Sequence, residues 1–172
     1  MLKADKICNQ NICIFYYYFG NYIFEYVLKG CYIMKVRDLM TKNVAYVNPD
    51  TSILETAQLM QKHNVGSIPV CDQNGVVGIV TDRDIVMRNI AVGNNPQQTP
   101  VKEIMTASVT TVTPEMEIND VTKMMASSQI RRLPVVENNT LIGIVAIGDI
   151  AIDRKWDTEI SNALTEISKP CK

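Results

Sequence analysis

Two carboxylates and a pair of arginines stand where side chains could grip a ligand. Asp84 lies three positions after Thr81, at the start of a helix and directly behind the apolar run 76–81. A carboxylate so placed can accept two hydrogen bonds from vicinal hydroxyls, and Thr81 adds a hydroxyl one helical turn earlier. Asp149 holds the same place in a second, similar stretch, where Ala146 stands in the position of Thr81. Arg131-Arg132 leads the apolar run LPVV, and guanidinium groups match phosphate geometry with charge-assisted hydrogen bonds. Plainer roles compete. Asp84 can be a turn or cap residue, and the arginines a solvated pair at a sheet edge.

Other chemistry has little to stand on. His63 is the single histidine, set at a helix end without a Cys, Asp or Glu cluster. Cys8, Cys13, Cys31, Cys71 and Cys171 share no metal-ligand spacing, and Cys71 follows a strand-like run as a small buried hydrophobe would. No general-base pair or activated nucleophile is visible, so the chain is expected not to be an enzyme, and no catalytic cofactor or metal is expected. Lys plus Arg number 17 and Asp plus Glu 18. That balance gives no bulk attraction to nucleic acid or an anionic membrane, and no nucleic-acid partner is expected. An odd cysteine count without a disulfide framework suits a reduced, cytoplasmic protein.

The elements that must position these residues come twice. Val36-Arg37-Asp38-Leu39-Met40-Thr41 recurs 65 positions later as Val101-Lys102-Glu103-Ile104-Met105-Thr106, and the same offset carries Pro69-Val70, Gly78-Ile79-Val80 and Asp84-Ile85 onto their counterparts. Over residues 36–85 no gap is needed and 16 of the 50 pairs are identical. Self-similarity kept in register over that length is the mark of a duplicated unit. Within a copy, residues 44–47 predict a short strand ending at Pro49. Ser52 and Glu55 have capping-box spacing for a helix to about His63. Residues 68–71 and 76–81 predict a hairpin around Gln73-Asn74-Gly75, and 82–91 a second helix. The fold class is therefore α/β (α+β): two β-α-β-β-α repeats, each marginal alone, packed as a pseudo-two-fold pair. The divisions are a leader 1–33, repeat one 34–91, a Gly/Asn/Gln/Pro-rich linker 92–100, repeat two 101–155, and a C-terminal helix 156–172. The tail runs through Trp156 with Ile160, Leu164 and Ile167 at apolar spacing.

This pattern resembles a tandem pair of cystathionine-beta-synthase (CBS) domains, the Bateman module. The resemblance rests on the Met-Thr opening, the Pro-Val strand and the run Gly78-Ile79-Val80-Thr81-Asp82-Arg83-Asp84, each seen twice in order across residues 35–155. Small stand-alone bacterial CBS-pair proteins are especially similar. The resemblance implies a non-catalytic regulatory module that binds an adenosyl ligand (AMP, ADP, ATP or S-adenosylmethionine) in the cleft between repeats. It implies ribose contacts from Asp84 and Thr81, with adenine against Val44-Ala45 and Ile68-Pro69, and phosphate contacts from Arg131 or Arg132. Asp149 would serve a second site, which Ala146 weakens. One cleft is expected to combine Thr81 and Asp84 with the arginines. A homodimer acting on an unknown protein partner is expected. The alternative is a ligand-free dimerisation or interaction module with a vestigial site.

The leader stands apart. Nine of the eleven aromatic residues lie between Phe15 and Tyr32, leaving Tyr46 and Trp156 for the rest. Residues 12–28 carry Glu25 as their one charge. A membrane partner follows only if that segment is an anchor, for which it is about long enough, though Gly20, Asn21 and Glu25 suit a span poorly. It also admits a packed extra element, or a disordered or artefactual leader. Its Lys, Asn, Ile, Phe and Tyr can be encoded by A and T alone, which favours upstream sequence read as protein, with Met34 the natural start. Intact-mass measurement of the native product is expected to give a chain beginning at Met34; a product retaining residues 1–33 counts against it.

Overall fold

The structure, a computed structural model, describes residues 3–9, 12–19, 22–29, 33–152 and 157–170. It divides into two units, Met1–Met34 and Lys35–Lys172. In the first, β1 (Lys3–Asn9), β2 (Ile12–Phe19) and β3 (Tyr22–Lys29) form an antiparallel meander, with Asn9 paired to Ile12 and Phe19 to Tyr22. Runs of Tyr, Phe and Ile suit a pleated surface better than a helix. Residues 12–19 and 22–28 of the segment that a helical anchor requires are thus strands. No helix among the described residues is long and apolar enough to cross a membrane.

The second unit is the duplicated one. Repeat one contains α1 (Val36–Leu39), β4 (Thr41–Lys42), α2 (Ile53–His63), β5 (Ser67–Asp72), β6 (Gly75–Thr81) and α3 (Asp82–Ile85). A π-helical turn, Val86–Ile90, extends α3. Repeat two contains a 3-10 turn (Val101–Glu103), β7 (Thr106–Ala107), α4 (Ile118–Ser128), β8 (Arg132–Glu137), β9 (Thr140–Ala146) and α5 (Ile147–Ile150), followed by α6 (Asp157–Ile167). The class is mixed helix and strand with small antiparallel sheets, as the sequence predicts. Asn138 and Asn139 both take positive φ, 48° and 62°, and form the tight turn between β8 and β9.

Three expectations need correcting. The strand predicted over 44–47 shrinks to one parallel bridge, Val47 to Val70, because only the Val47 N–H and C=O meet the β5 backbone, at Pro69 O and Cys71 N. The helix predicted over 82–91 widens to a π-turn after Ile85, closed by Ala91 N–H to Val86 O at 2.9 Å. On α6, Ile160 and Ala163 are buried but Leu164 is exposed, so the contact with α4 runs along the 160/163 face. Trp156 lies outside the described residues. The stretch 92–100, expected as a linker, also caps α2: Thr99 O and Pro96 O accept from Ile53 and Leu54 N–H at 3.0 and 2.9 Å, two of the donors that a helix start leaves open.

The copies exchange their opening segments. β4 of repeat one pairs with β9 of repeat two (Thr41 with Ile144, Lys42 with Gly143), and β7 of repeat two pairs with β6 of repeat one (Gly78 with Ala107, Ile79 with Thr106). Val101 and Ile104 complete the buried cluster of repeat one around Val47, Ile53, Ile68, Val70 and Val80. The exchanged segments are latched by ion pairs related by the offset, Lys102 to Asp50 at 2.7 Å, and Glu115 to both Arg37 and Lys35. Glycine lets the segments dock. A Cβ on Gly143 would stand 2.9 Å from both Met40 Sδ and the Thr41 carbonyl, and one on Gly78 would meet Met105 Sδ at 2.4 Å.

Gly143→Ala therefore has to push back a backbone carbonyl. It is expected to cost about 1–3 kcal/mol, the range for overpacking, read by urea unfolding. The Lys35 hydrogen bond is the main cause holding the Glu115 carboxyl below its ordinary value of 4.5. A depressed carboxyl contributes stability above its unfolded pKa and loses it as pH falls through the folded value. Glu115→Gln is thus expected to lower the melting temperature slightly at neutral pH, with the gap closing below the usual carboxylate range.

Candidate ligand-binding cleft between the repeats

Each candidate carboxylate sits at the start of a short helix because a buried strand ends just before it. At the end of β6, Thr81 is the N-cap of α3, and Asp84 is the third residue of that helix. Thr81 Oγ1 accepts the Asp84 N–H at 3.1 Å, while Asp84 Oδ2 accepts Thr81 N–H at 2.9 Å and Thr81 O–H at 2.7 Å. This is a complete capping box, so the plain cap role of Asp84 is real. Its Oδ1 lies 3.3 Å from Arg88 Nη1, and the Asp84 side chain is only 14 % exposed. In repeat two, Asp149 Oδ2 accepts the Ala146 N–H at 2.9 Å. Ala146 has no hydroxyl to offer, and Asp149 Oδ1 has no partner among the described residues.

A cavity of about 330 Å³ opens between the copies, within the range of small-molecule sites. Repeat two contributes Arg132, Ile144, Ala146 and Asp149; repeat one contributes Thr41, Asn43, Val44, Ala45 and the segment from His63 to Ser67. The fold brings these together in identifiable ways. β4 lies on β9, which delivers Thr41 beside Ile144. Arg132 is paired across the hairpin with Ala146. Asn43 and Asn64 both hold left-handed backbone, φ 56° and 51°, turning the chain after β4 and after α2. Arg132 is exposed and has no ion pair among the described residues, so its guanidinium is available to an anion.

The sequence-predicted residues are distributed unevenly. Val44, Ala45, Arg132 and Asp149 line the cavity. Ile68 and Pro69 do not: Ile68 is fully buried and belongs to the core, and the wall is formed instead by the residues just before them, Val65, Gly66 and Ser67. Thr81, Asp84 and Arg131 are absent from this lining. The internal symmetry carries the lining onto Thr106, Val109, Thr110, Arg131 and Arg132 together with Thr81 and Asp84. The expected grouping of Asp84 with the arginines thus corresponds to the symmetry-related position, while the cavity of about 330 Å³ lies at Asp149, in the copy that Ala146 was expected to weaken. The sequence reading missed Thr41, Asn43, the segment ending at Ser67, and Arg88. The offset flags the first three as counterparts of cleft positions, and the four-residue spacing Asp84–Arg88 flags the last.

Elsewhere, burial, with some help from Asp72, pushes the Cys71 thiol upward, which agrees with a packing role. Among the described residues no group of three or more His, Cys, Asp or Glu is placed to hold a metal ion.

Comparison with known proteins decides the family. The model of the CBS domain matches residues 36–89 and again residues 101–152. The chain belongs to the CBS-domain family. As a CBS pair it is a regulatory module. It is 47 % identical over 133 residues to the CBS domain-containing protein YhcV of Bacillus subtilis, covering 77 % of this chain and 94 % of that one. Among solved structures, the CBS pair of protein MJ0100, in complex with 5-methylthioadenosine and S-adenosyl-L-methionine, superposes with a TM-score of 0.61 at 31 % identity, covering 70 % of this chain and 94 % of that one. The hexameric CBS-CP12 protein of bloom-forming cyanobacteria gives a TM-score of 0.66 at 29 % identity, with each chain covered to 73 %.

Proposed function

We propose that this CBS pair is a non-catalytic sensor that binds an adenosyl ligand in the cleft between its repeats, at the cavity lined by Asp149 and Arg132. The observation that carries the reading is the convergence of three kinds of group in about 330 Å³: a carboxylate with an oxygen and a guanidinium that are both unpartnered among the described residues, and apolar walls from Val44, Ala45, Val65 and Ile144. Those are the partners that a ribose diol, a phosphate and an adenine ring require. The bound ligands of MJ0100 support the same ligand class. Because the lining comes from both copies, a ligand that prefers one arrangement of the repeats shifts the module toward it, and a protein partner reads the change. A cytoplasmic homodimer is the assembly that this reading carries; no nucleic acid takes part in it.

Calorimetry with AMP, ADP, ATP and S-adenosylmethionine tests it. At least one of the four is expected to bind the wild type. Asp149→Ala is expected to weaken that binding by about ten- to a hundredfold, the loss of charge-assisted hydrogen bonds worth about 1.5–3 kcal/mol. Arg132→Ala is expected to weaken the phosphorylated ligands more than S-adenosylmethionine. Binding of none of the four to the wild type would favour the alternative, a ligand-free dimerisation or interaction module.

A further inference from the structure

We propose that Arg88 is a built-in occupant of the Asp84 cleft, a specificity-determining residue that reserves ligand binding for the Asp149 cleft. The proposal rests on the reading above, in which these carboxylates take the hydroxyls of an adenosyl ligand.

A vicinal diol needs both oxygens of a carboxylate. At Asp84 both are already engaged: Oδ2 holds the N–H and O–H of Thr81, and Oδ1 faces Arg88 Nη1 at 3.3 Å. The same Nη1 donates to the carbonyl of Ile104 at 2.7 Å and reaches Thr106 Oγ1 at 3.4 Å. Arg88 thereby ties a carboxylate of repeat one to the opening segment of repeat two. A diol arriving at Asp84 has to compete with a half-exposed guanidinium whose Nη1 is shared among these acceptors, and displacing it leaves the buried Ile104 without that donor.

The backbone supports the same view. Arg88 sits on the π-turn Val86–Ile90, and the next residue, Asn89, is fully buried with neither its amide nitrogen nor its amide oxygen partnered among the described residues. A π-turn and an orphaned buried amide are both unfavourable. Repeat two differs in sequence. The offset sets Asp153, outside the described residues, opposite Arg88, so no cation stands at that position. Its alanine at position 146 removes the competing hydroxyl as well. The two substitutions together make Asp149 the receptive carboxylate and Asp84 the satisfied one.

The test is calorimetric titration of the full chain with AMP and, in parallel, S-adenosylmethionine, using Arg88→Ala and Arg88→Gln. Circular dichroism checks that each variant is folded, and glutamine keeps a donor for Ile104 if alanine does not fold. The wild type is expected to bind one ligand per chain, lost in Asp149→Ala and kept in Asp84→Ala. The Arg88 variants are expected to bind two, the second at least tenfold tighter than any binding at Asp84 in the wild type, and lost again when Asp84→Ala is added. One site in wild type and variants alike, or two in the wild type, overturns the role of Arg88 and leaves the Asp149 reading standing. No site in the wild type but one in the variants supports Arg88 and removes the Asp149 reading. No binding to any protein, or wild-type binding lost in Asp84→Ala alone, overturns both.

Discussion

Each copy of the duplicated unit is finished by residues of the other, and the rest of the structure depends on that exchange. Val101 and Ile104 sit in the hydrophobic cluster of repeat one, and β4 lies on the sheet of repeat two. A unit of this size is only marginally stable by itself. Trading the opening segments adds buried area to both copies and pairs strand backbone that would otherwise face water. Close approach is possible because Gly78 and Gly143 face the methionines that begin the traded segments. The surrounding ion pairs are exposed and individually weak, so the apolar plug and the strand pairing hold the pair together.

The same exchange creates the cleft. β4 is carried onto β9, so the residues that follow it, Asn43 to Ala45, arrive next to a carboxylate belonging to the other repeat. Symmetry of the backbone then supplies two equivalent carboxylate positions, but the side chains give them different chemistry. One carboxylate is engaged by a threonine and an arginine of its own repeat, the other, among the described residues, by a single backbone N–H. A two-fold scaffold with unequal sites can separate a structural task from a sensing one.

Much of this was legible in the sequence. The offset of 65 revealed the duplication, capping residues located α2 and α3, and turn residues located both hairpins. Of the cavity residues, Asp149 and Arg132 were nominated by residue type and position, and Val44 and Ala45 by the resemblance to a CBS pair. What stayed hidden depends on contacts distant in sequence. Nothing in residues 44–47 says that only Val47 meets the β5 backbone, nor that Ile68 is used up by the core and cannot face a ligand. That Ala146 lacks the hydroxyl of Thr81 is visible in sequence. The hydrogen bond that the Thr81 hydroxyl makes to Asp84 is visible only in three dimensions. Arg88 went unnoticed because its partners, Ile104 and Thr106, lie across the linker.

The stretch 92–100 bears on how such a chain could arise. It ties together two units that already interlock by trading segments, and segment trading needs no covalent link: two separate copies of one unit could do it equally well. Tethered in one chain, the copies are released from a constraint that identical subunits cannot escape. In a pair of identical chains every substitution appears in both clefts at once, so neither can change its task without the other. Here Thr81 can persist while its counterpart becomes Ala146, and an arginine can settle beside one carboxylate alone. Division of labour between the clefts is available to this molecule because its symmetry is only approximate.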